Sequence, residues 1–149
     1  ISRAVGRITV GIQNKLTLGN LDASRDWGYA KDYVNGMWMM MQHDTPEDWV
    51  LATGKTQTVR EFAEAAFRYV DLNWDDYVQT SEKYFRPNEV DYLLGDATKA
   101  KEKLGWQPEV DFKGLVELMV EQDIIEAKKD YSLIKEGLIL PTWEHPVVK

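Results

Sequence analysis

The feature that most constrains the fold is a short apolar run, DWVLATG, over residues 48–54, bounded by Pro46 and Gly54. Its length and its flanking Pro and Gly predict a strand. Because Trp49 to Ala52 are all apolar, we expect this strand to be buried on both faces, as in a parallel sheet covered by helices. The chain offers few strands to pair with it. The run therefore predicts that the chain is part of a larger α/β protein.

Most of the remaining sequence has helical rather than strand periodicity. Helices are predicted from Ile1 to about Gly11, over 26–42, from Thr58 to Val70, over 97–104 and from Phe112 to about Lys129, and short strands over 15–20 and 77–85. Thr58 and Glu61 have capping-box spacing, Asp96 can cap the fourth helix, and Gly105 is suited to end it. The predicted fold class is therefore α/β, and rich in helix.

The second predicted helix carries a broad apolar stripe. Its members recur at helical spacing and are Ala30, Tyr33, Val34, Met37, Trp38 and Met41. A methionine-rich stripe could serve a function, but methionine more often fills irregular gaps in a core. We therefore expect this face of the helix to be packed inside the protein.

Composition excludes several classes of function. The chain has 149 residues, a formal net charge of −7 and no cysteine. An acidic protein repels polyanions, so neither nucleic acid nor an anionic membrane is an expected partner. The lack of cysteine excludes disulfides and fits a reducing compartment such as the cytoplasm, and no apolar run is long enough to span a membrane. Since the chain does not begin with Met, we expect it to be a fragment of a longer protein.

Two arginines are candidate phosphate ligands. Arg25 lies between a predicted strand and a predicted helix, and Arg86 lies among aromatic residues and is followed by Pro87. A planar guanidinium can donate two hydrogen bonds to a pyrophosphate, and Glu89 could accept hydrogen bonds from a ribose. The alternative is that each arginine forms an ordinary salt bridge with a nearby acid. The residues alone leave both interpretations open.

No catalytic or metal-binding motif stands out. The sequence has no G-x-G-x-x-G, and no Ser-His-Asp arrangement suggests itself. Four residues occupy EF-hand positions one, three, five and twelve, namely Asp71, Asn73, Asp75 and Glu82. Position six is an Asp where the loop needs Gly, and Pro87 interrupts the helix that should follow. A solvated acidic turn is therefore the better interpretation, with a calcium-binding or interaction module as the alternative from a non-enzymatic class.

Several blocks of sequence resemble the GDP-mannose 4,6-dehydratase family of extended short-chain dehydrogenases/reductases. They are GNLDASRDWGYAKDYVNGMW over 19–38, ATG over 52–54, VREF over 59–62 and YFRPNEVDYLLGDATKAKEKLGWQPEVDF over 84–112. The blocks are dense and in order, and the resemblance extends from Ile1 to about Lys129. Residues 130–149 have no clear period, and we expect them to form a separate tail of unknown role.

The resemblance implies a substrate site. The chain would be the C-terminal, GDP-mannose-binding portion of the enzyme and would complete the sheet of an N-terminal Rossmann half. Arg25 and Arg86 would contact the diphosphate and Glu89 the ribose. Leu16, Leu18 and Asn20 would lie near the guanine or ribose. A related sugar-nucleotide epimerase or reductase is the alternative within the same fold.

The resemblance also implies what lies outside this sequence. The family is a lyase that uses NADP to convert GDP-mannose to GDP-4-dehydro-6-deoxy-mannose, and its cofactor loop and catalytic Thr, Glu, Tyr and Lys lie in the N-terminal half. We therefore expect no catalytic residue in this chain, no bound cofactor, no metal and no activity in the chain alone. The expected partners are GDP-mannose, the N-terminal half and, in the parent enzyme, further copies of itself.

Overall fold

The computed structural model describes residues 1–141 and 143 of the chain. The helices of this part are α1 (Ser2–Thr9), α2 (Ala30–Met41), α3 (Val59–Tyr69), α4 (Thr98–Leu104) and α5 (Phe112–Lys135). The strands are β1 (Leu16–Leu18), β2 (Ser24–Asp26), β3 (Thr56–Thr58) and β4 (Val78–Thr80). The protein is therefore α/β and rich in helix, as the sequence predicts.

The chain forms two compact units. The first contains residues 1–19, 62–84 and the described residues from 116 onward, and the second contains 20–61 and 85–115. Each unit holds one two-stranded sheet. In the first, β1 is parallel to β4, with Leu16 opposite Val78. In the second, β2 is antiparallel to β3, with Arg25 opposite Gln57.

The core of the first unit is built from helices. Its largest fully buried side chains are Val5, Phe67, Val116 and Val120. Phe67 also stacks on Tyr77, with 5.5 Å between ring centroids. Gly6 allows α1 to approach α5 closely, because a Cβ at Gly6 would lie 2.6 Å from the backbone oxygen of Asp123. A larger residue at Gly6 would therefore push the two helices apart.

The second unit is organised around Trp106, which is 1% exposed. Its indole Nε1 donates to the backbone oxygen of Asp32 at 2.8 Å, and its ring stacks on Tyr33. The buried carboxylate of Asp32 accepts hydrogen bonds from the backbone N–H groups of Glu109 and Val110, both at 3.1 Å. These contacts join α2 to the segment after α4.

The Thr58–Glu61 capping box and the helix end at Gly105 are confirmed, whereas the N-cap residue of α4 is Ala97 and Asp96 lies one residue before it. Glu61 accepts from the backbone N–H of Thr58 at 2.6 Å, and Thr58 Oγ1 accepts from the N–H of Glu61 at 3.0 Å. Asp96 Oδ1 accepts from the N–H of Thr98 at 2.9 Å, and α4 ends at Gly105, whose φ of 70° is left-handed. Such a φ has almost no cost for glycine, which explains why the helix stops there.

The predicted orientation of α2 is wrong. Val34, Met37, Trp38 and Met41 are more than half exposed, whereas the buried positions of the helix are Asp32 and Gly36. The reason is Trp106: a Cβ at Gly36 would lie 2.8 Å from its indole nitrogen. The helix therefore needs its smallest residue on the inner face, and its large apolar side chains lie on the outer one.

The strand predicted over 48–54 is also not formed. The described part of the chain supplies no strand that pairs with this run, and Val50 is 53% exposed. A strand requires a hydrogen-bonded neighbour, so an apolar composition alone is not sufficient.

Three remaining predictions concern the ends and the acidic turn. Helix α5 continues to Lys135 rather than ending near Lys129. In the predicted tail, residues 142 and 144–149 lie outside the described residues.

No helix among the described residues is long and apolar enough to cross a membrane. In the acidic turn, Asn73 Oδ1 accepts from the N–H of Asp75 at 3.4 Å and so caps a short 3-10 helix.

Candidate functional site

Arg25 is held in place by strand β2 and the segment after Pro87. Its Nη1 donates to the backbone oxygens of Ser24 at 2.8 Å and Val90 at 2.6 Å, and its Nη2 is paired with the carboxylate of Glu89. The side chains of Arg25 and Glu89 are 23% and 19% exposed. The guanidinium is therefore oriented by the protein before any ligand arrives.

The Arg25–Glu89 ion pair bears on both interpretations of Arg25, as a salt-bridge partner and as a phosphate ligand. Arg25 does form an ion pair with a nearby acid, as the ordinary interpretation predicts. The pairing also brings together two of the residues assigned to a nucleotide. An anion that approaches Arg25 must share the guanidinium with Glu89 or displace it, because both compete for the same donors.

The backbone of β2 fixes the segment that carries Glu89. The N–H of Ser24 donates to the oxygen of Asp91 at 2.7 Å, and the N–H of Leu93 donates to the oxygen of Ser24 at 3.1 Å. Ser24 and Tyr92 thus form an isolated parallel bridge. Glu89 and Arg25 are consequently aligned by main-chain hydrogen bonds as well as by their own charges.

Asp26 is a structural centre that sequence analysis missed. Its Oδ1 accepts from the N–H and Oγ1 of Thr53, at 2.8 and 2.6 Å, and its Oδ2 accepts from the N–H groups of Gly54 and Gly95, at 3.0 and 3.2 Å. One carboxylate thus ties two separate segments to the strand that holds Arg25. A Cβ at Gly95 would collide with Ala52, so this approach also requires glycine.

Arg86 differs from Arg25 in being exposed. Within the described residues it forms no ion pair, and its neighbours Tyr84 and Phe85 are about half exposed, at 50% and 51%. The guanidinium is therefore available to an anion, but the protein alone does not fix its orientation.

The other three residues assigned to the substrate have structural partners. Leu16 is buried in β1, and its N–H donates to the oxygen of Tyr77 at 2.9 Å. The oxygen of Leu18 accepts from the N–H of Ser81 at 2.9 Å. Asn20 Oδ1 accepts from the N–H of Asp22 at 2.9 Å, so its amide nitrogen is the group left to donate elsewhere. Leu16 and Leu18 belong to the first unit, and Asn20 belongs to the second.

Tyr33, in the second unit, has a phenol whose pKa is shifted by its surroundings. Burial raises the pKa of Tyr33 above its ordinary value, and the negative charges of Asp26 and Asp32 raise it further. The phenol therefore stays protonated at neutral pH and cannot serve as a general base there. Its stacking on Trp106 gives it a packing role instead.

Comparison with known proteins decides the family. A sequence model described as GDP-mannose 4,6 dehydratase matches residues 1–119. The chain belongs to the GDP-mannose 4,6-dehydratase family. It is 56% identical over 137 residues to GDP-mannose 4,6 dehydratase 2 of Arabidopsis thaliana. The aligned region covers 92% of this chain and 37% of that relative. It is 47% identical over 141 residues to the Homo sapiens GDP-mannose 4,6 dehydratase. This aligned region covers 83% of this chain and 38% of that relative.

Solved structures support the fold. The structure of RMD from Pseudomonas aeruginosa complexed with NADPH matches 84% of this chain and 41% of its own, with a TM-score of 0.75 and 20% identity. UDP-glucose 4-epimerase from Thermotoga maritima with UDP-glucose matches 84% and 38%, with a TM-score of 0.67 and 25% identity. Both solved structures therefore share this chain's fold over most of its length. This dehydratase-family chain spans about two-fifths of the length of the relatives it matches.

Proposed function

We propose that this chain is the substrate-binding portion of a GDP-mannose 4,6-dehydratase, with Arg25 and Arg86 as ligands of the sugar-nucleotide diphosphate. The observation that carries the proposal is the position of Arg25 in this member of the dehydratase family. Arg25 lies in strand β2, is largely buried and is already oriented by the backbone oxygens of Ser24 and Val90. An oriented guanidinium binds an anion with a smaller entropic cost than a mobile one. Arg86, which is exposed, would become ordered when the ligand binds.

Glu89 gives the proposed site a way to exchange partners. When a diphosphate takes over the outer donors of Arg25, the carboxylate of Glu89 is released and can accept hydrogen bonds from the ribose hydroxyls. Leu16, Leu18 and Asn20 would lie beside the guanine or ribose. Leu18, which is half-buried, would supply apolar contact, and the Asn20 amide would supply a donor.

The reaction itself requires more polypeptide than this chain provides. We assign NADP and the catalytic groups to the N-terminal Rossmann portion of the dehydratase, since the glycine-rich dinucleotide motif is not found in this sequence. This chain alone would then neither bind NADP nor convert GDP-mannose to GDP-4-dehydro-6-deoxy-mannose. We further propose that the complete enzyme is a cytoplasmic homo-oligomer and that the tail begins after α5 ends at Lys135, later than the boundary at 129 expected from the sequence.

A joined chain tests the proposal. The part of the Arabidopsis thaliana dehydratase 2 that this chain does not match is fused to residues 1–149, and the two proteins are compared for conversion of GDP-mannose in the presence of NADP. We expect turnover by the joined chain and none by the 149-residue chain. Turnover by the 149-residue chain, or none by a folded joined chain, contradicts the proposal. Calorimetric titration of the joined chain with GDP, and with UDP as the control, then measures nucleotide selectivity.

A further inference from the structure

Trp143, in the segment after α5, is docked on the first unit. Its indole Nε1 donates to the backbone oxygen of Ile12 at 3.2 Å, and the guanidinium of Arg7 lies over its ring, 3.8 Å from the ring centroid. In the same segment Leu138 and Leu140 are 65% and 82% exposed, whereas Trp143 is half-buried. Both the polar tip and the aromatic face of Trp143 thus have a defined partner, as buried tryptophans usually do.

Arg7 gives this contact a rigid base. It belongs to α1, whose residues Val5 and Ile8 are buried in the core. Its Nε lies 3.9 Å from the carboxylate of Asp130 on α5, and its side chain is only 15% exposed. A guanidinium that is shielded from water gains more from an aromatic face than an exposed one does. Trp143 therefore covers a cation that two packed helices already hold in place.

The hydrogen bond from Trp143 acts on the segment that leads from Ile12 into β1. Two other contacts hold this segment: Gln13 Nε2 donates to the oxygen of Lys15, and Lys15 Nζ donates to the oxygen of Asp76, both at 2.7 Å. Both lie at the surface, where water competes for the same groups. The partly buried bond to Ile12 is therefore the contact best suited to fix the segment.

Strand β1 depends on the segment that precedes it. The strand has three residues, and in the described part of the chain it pairs along one edge, with β4. A sheet of two short strands is marginally stable by itself. The position of Leu16 and Leu18 is therefore set partly by the way the chain enters β1. All the residues from Arg7 to Trp143 that take part in these contacts belong to the first unit.

We propose that Trp143 is a positioning residue for nucleotide binding: by bonding to Ile12 and covering Arg7, it holds the segment over 10–15 and with it β1. The inference rests on the proposed function, in which β1 lies beside the guanine or ribose. Trp143 itself does not touch the ligand. The family model matches residues 1–119, so this contact is made by a part of the chain that lies beyond the match. The tail would thus affect the base end of the nucleotide and not the diphosphate.

Hydrogen exchange of the 149-residue chain tests the structural part of the proposal. We expect Trp143→Ala to speed exchange of the protected amides over 11–16 by at least about fivefold, because local opening becomes easier. Trp143→Phe keeps a ring over Arg7 and should restore part of the protection. Leu140→Ala, at an exposed position of the same segment, is the control and should change nothing.

Two results of this exchange experiment would overturn the proposal. One is equal exchange over 11–16 in Trp143→Ala and in the unsubstituted chain. The other is an equal acceleration in α3, because Trp143 would then stabilise the whole unit rather than this segment.

Ligand binding by the joined chain tests the functional part. Calorimetry compares GDP with inorganic pyrophosphate, which lacks the base and ribose but can bind the proposed arginines. We expect Trp143→Ala and Arg7→Gln to weaken GDP binding by about fivefold or more and to leave pyrophosphate binding unchanged. Arg3→Gln, an exposed position of α1, is the control for Arg7→Gln and should bind GDP as the unsubstituted protein does. Unchanged GDP affinity in Trp143→Ala, or an equal loss for both ligands, overturns the proposal.

The two proposals fail in different ways. A folded, unsubstituted joined chain that binds neither GDP nor pyrophosphate contradicts the proposed function, and with it the step from β1 to the nucleotide. A joined chain that binds both ligands, with GDP affinity and exchange over 11–16 unaffected by Trp143→Ala, contradicts only the role of Trp143.

Discussion

At the scale of single residues, the two proposed phosphate ligands differ in how firmly the protein holds them. Arg25 bonds to two backbone oxygens and to Glu89, whereas Arg86 is exposed. The first residue thus has a structural role in addition to its proposed binding role. Substitutions at the two positions should therefore have different effects on stability.

We expect Arg25→Ala to destabilise the 149-residue chain by about 1–3 kcal/mol, because it leaves Glu89 and the Val90 oxygen without their donor. Arg86→Ala should change the free energy of unfolding by less than about 0.5 kcal/mol. Urea unfolding of both variants measures the difference. Equal midpoints would show that the Arg25–Glu89 pair contributes nothing to the fold.

Glu47 gives the stability of the fold a pH-dependent contribution, which is small because its ion pairs with Lys99 and Lys103 are exposed to solvent. Hydrogen bonds from Lys99 and Lys103 lower the pKa of Glu47 to about 2, from an ordinary value of 4.5. Since the folded protein binds this proton less readily, the stabilisation is complete above about pH 4.5 and is lost as the pH falls toward 2.

We expect Glu47→Gln to remove part of the pH dependence of stability between about pH 4.5 and 2, measured as urea midpoints at several pH values. A Lys99→Met, Lys103→Met double variant is the matched control and should remove the same part. Combining all three changes should remove no more than either alone. A wild-type pH profile in Glu47→Gln would contradict the assignment.

At the scale of elements, Asp26 connects β2 to the segments that contain Thr53 and Gly95. The four hydrogen bonds that its carboxylate accepts come from residues that are 27 to 69 positions away in the chain. The carboxylate thus sets the spacing of three segments around Arg25. Its loss should disturb the proposed site without removing any residue that contacts the ligand.

We expect Asp26→Ala to cost about 1.5–3 kcal/mol of stability, because three backbone N–H groups and a hydroxyl lose a charged acceptor. Asp26→Asn keeps an acceptor oxygen and should recover part of the loss. Asp22→Ala is the control, since the Asp22 side chain is 80% exposed and its ion pair with Arg60 contributes little. Thermal unfolding of the three variants checks the order, and a similar loss in Asp22→Ala would contradict it.

The elements also show what could be predicted from sequence. The Thr58–Glu61 cap and the Gly105 stop are local, because the interacting groups lie within a few residues of each other. The partners of Asp26 and the orientation of α2 depend on tertiary contacts, with Trp106 selecting Gly36 for the inner face. Helical periodicity identifies an apolar stripe, but it does not tell whether the stripe faces the core or the solvent. The Arg25–Glu89 pair joins residues 64 positions apart, so spacing alone could not identify it.

At the scale of the whole molecule, the chain contains two folded units but spans only about two-fifths of its dehydratase relatives. The exposed apolar side chains of α2, Val34, Met37, Trp38 and Met41, lie in the second unit. The proposed phosphate ligands Arg25 and Arg86 belong to the second unit. Substitutions within this one unit can therefore test both proposed ligands.

The affinity of the joined chain for GDP-mannose, measured by calorimetry with and without Arg86→Ala, tests the proposed site most directly. Since Arg86 is exposed, its removal should spare the fold and weaken binding by about 10- to 100-fold, the equivalent of one charged hydrogen bond. Arg68→Ala, an exposed arginine on α3, is the control and should bind as the unsubstituted protein does. Equal affinity for GDP-mannose in all three proteins would contradict the assignment of Arg86 to the diphosphate.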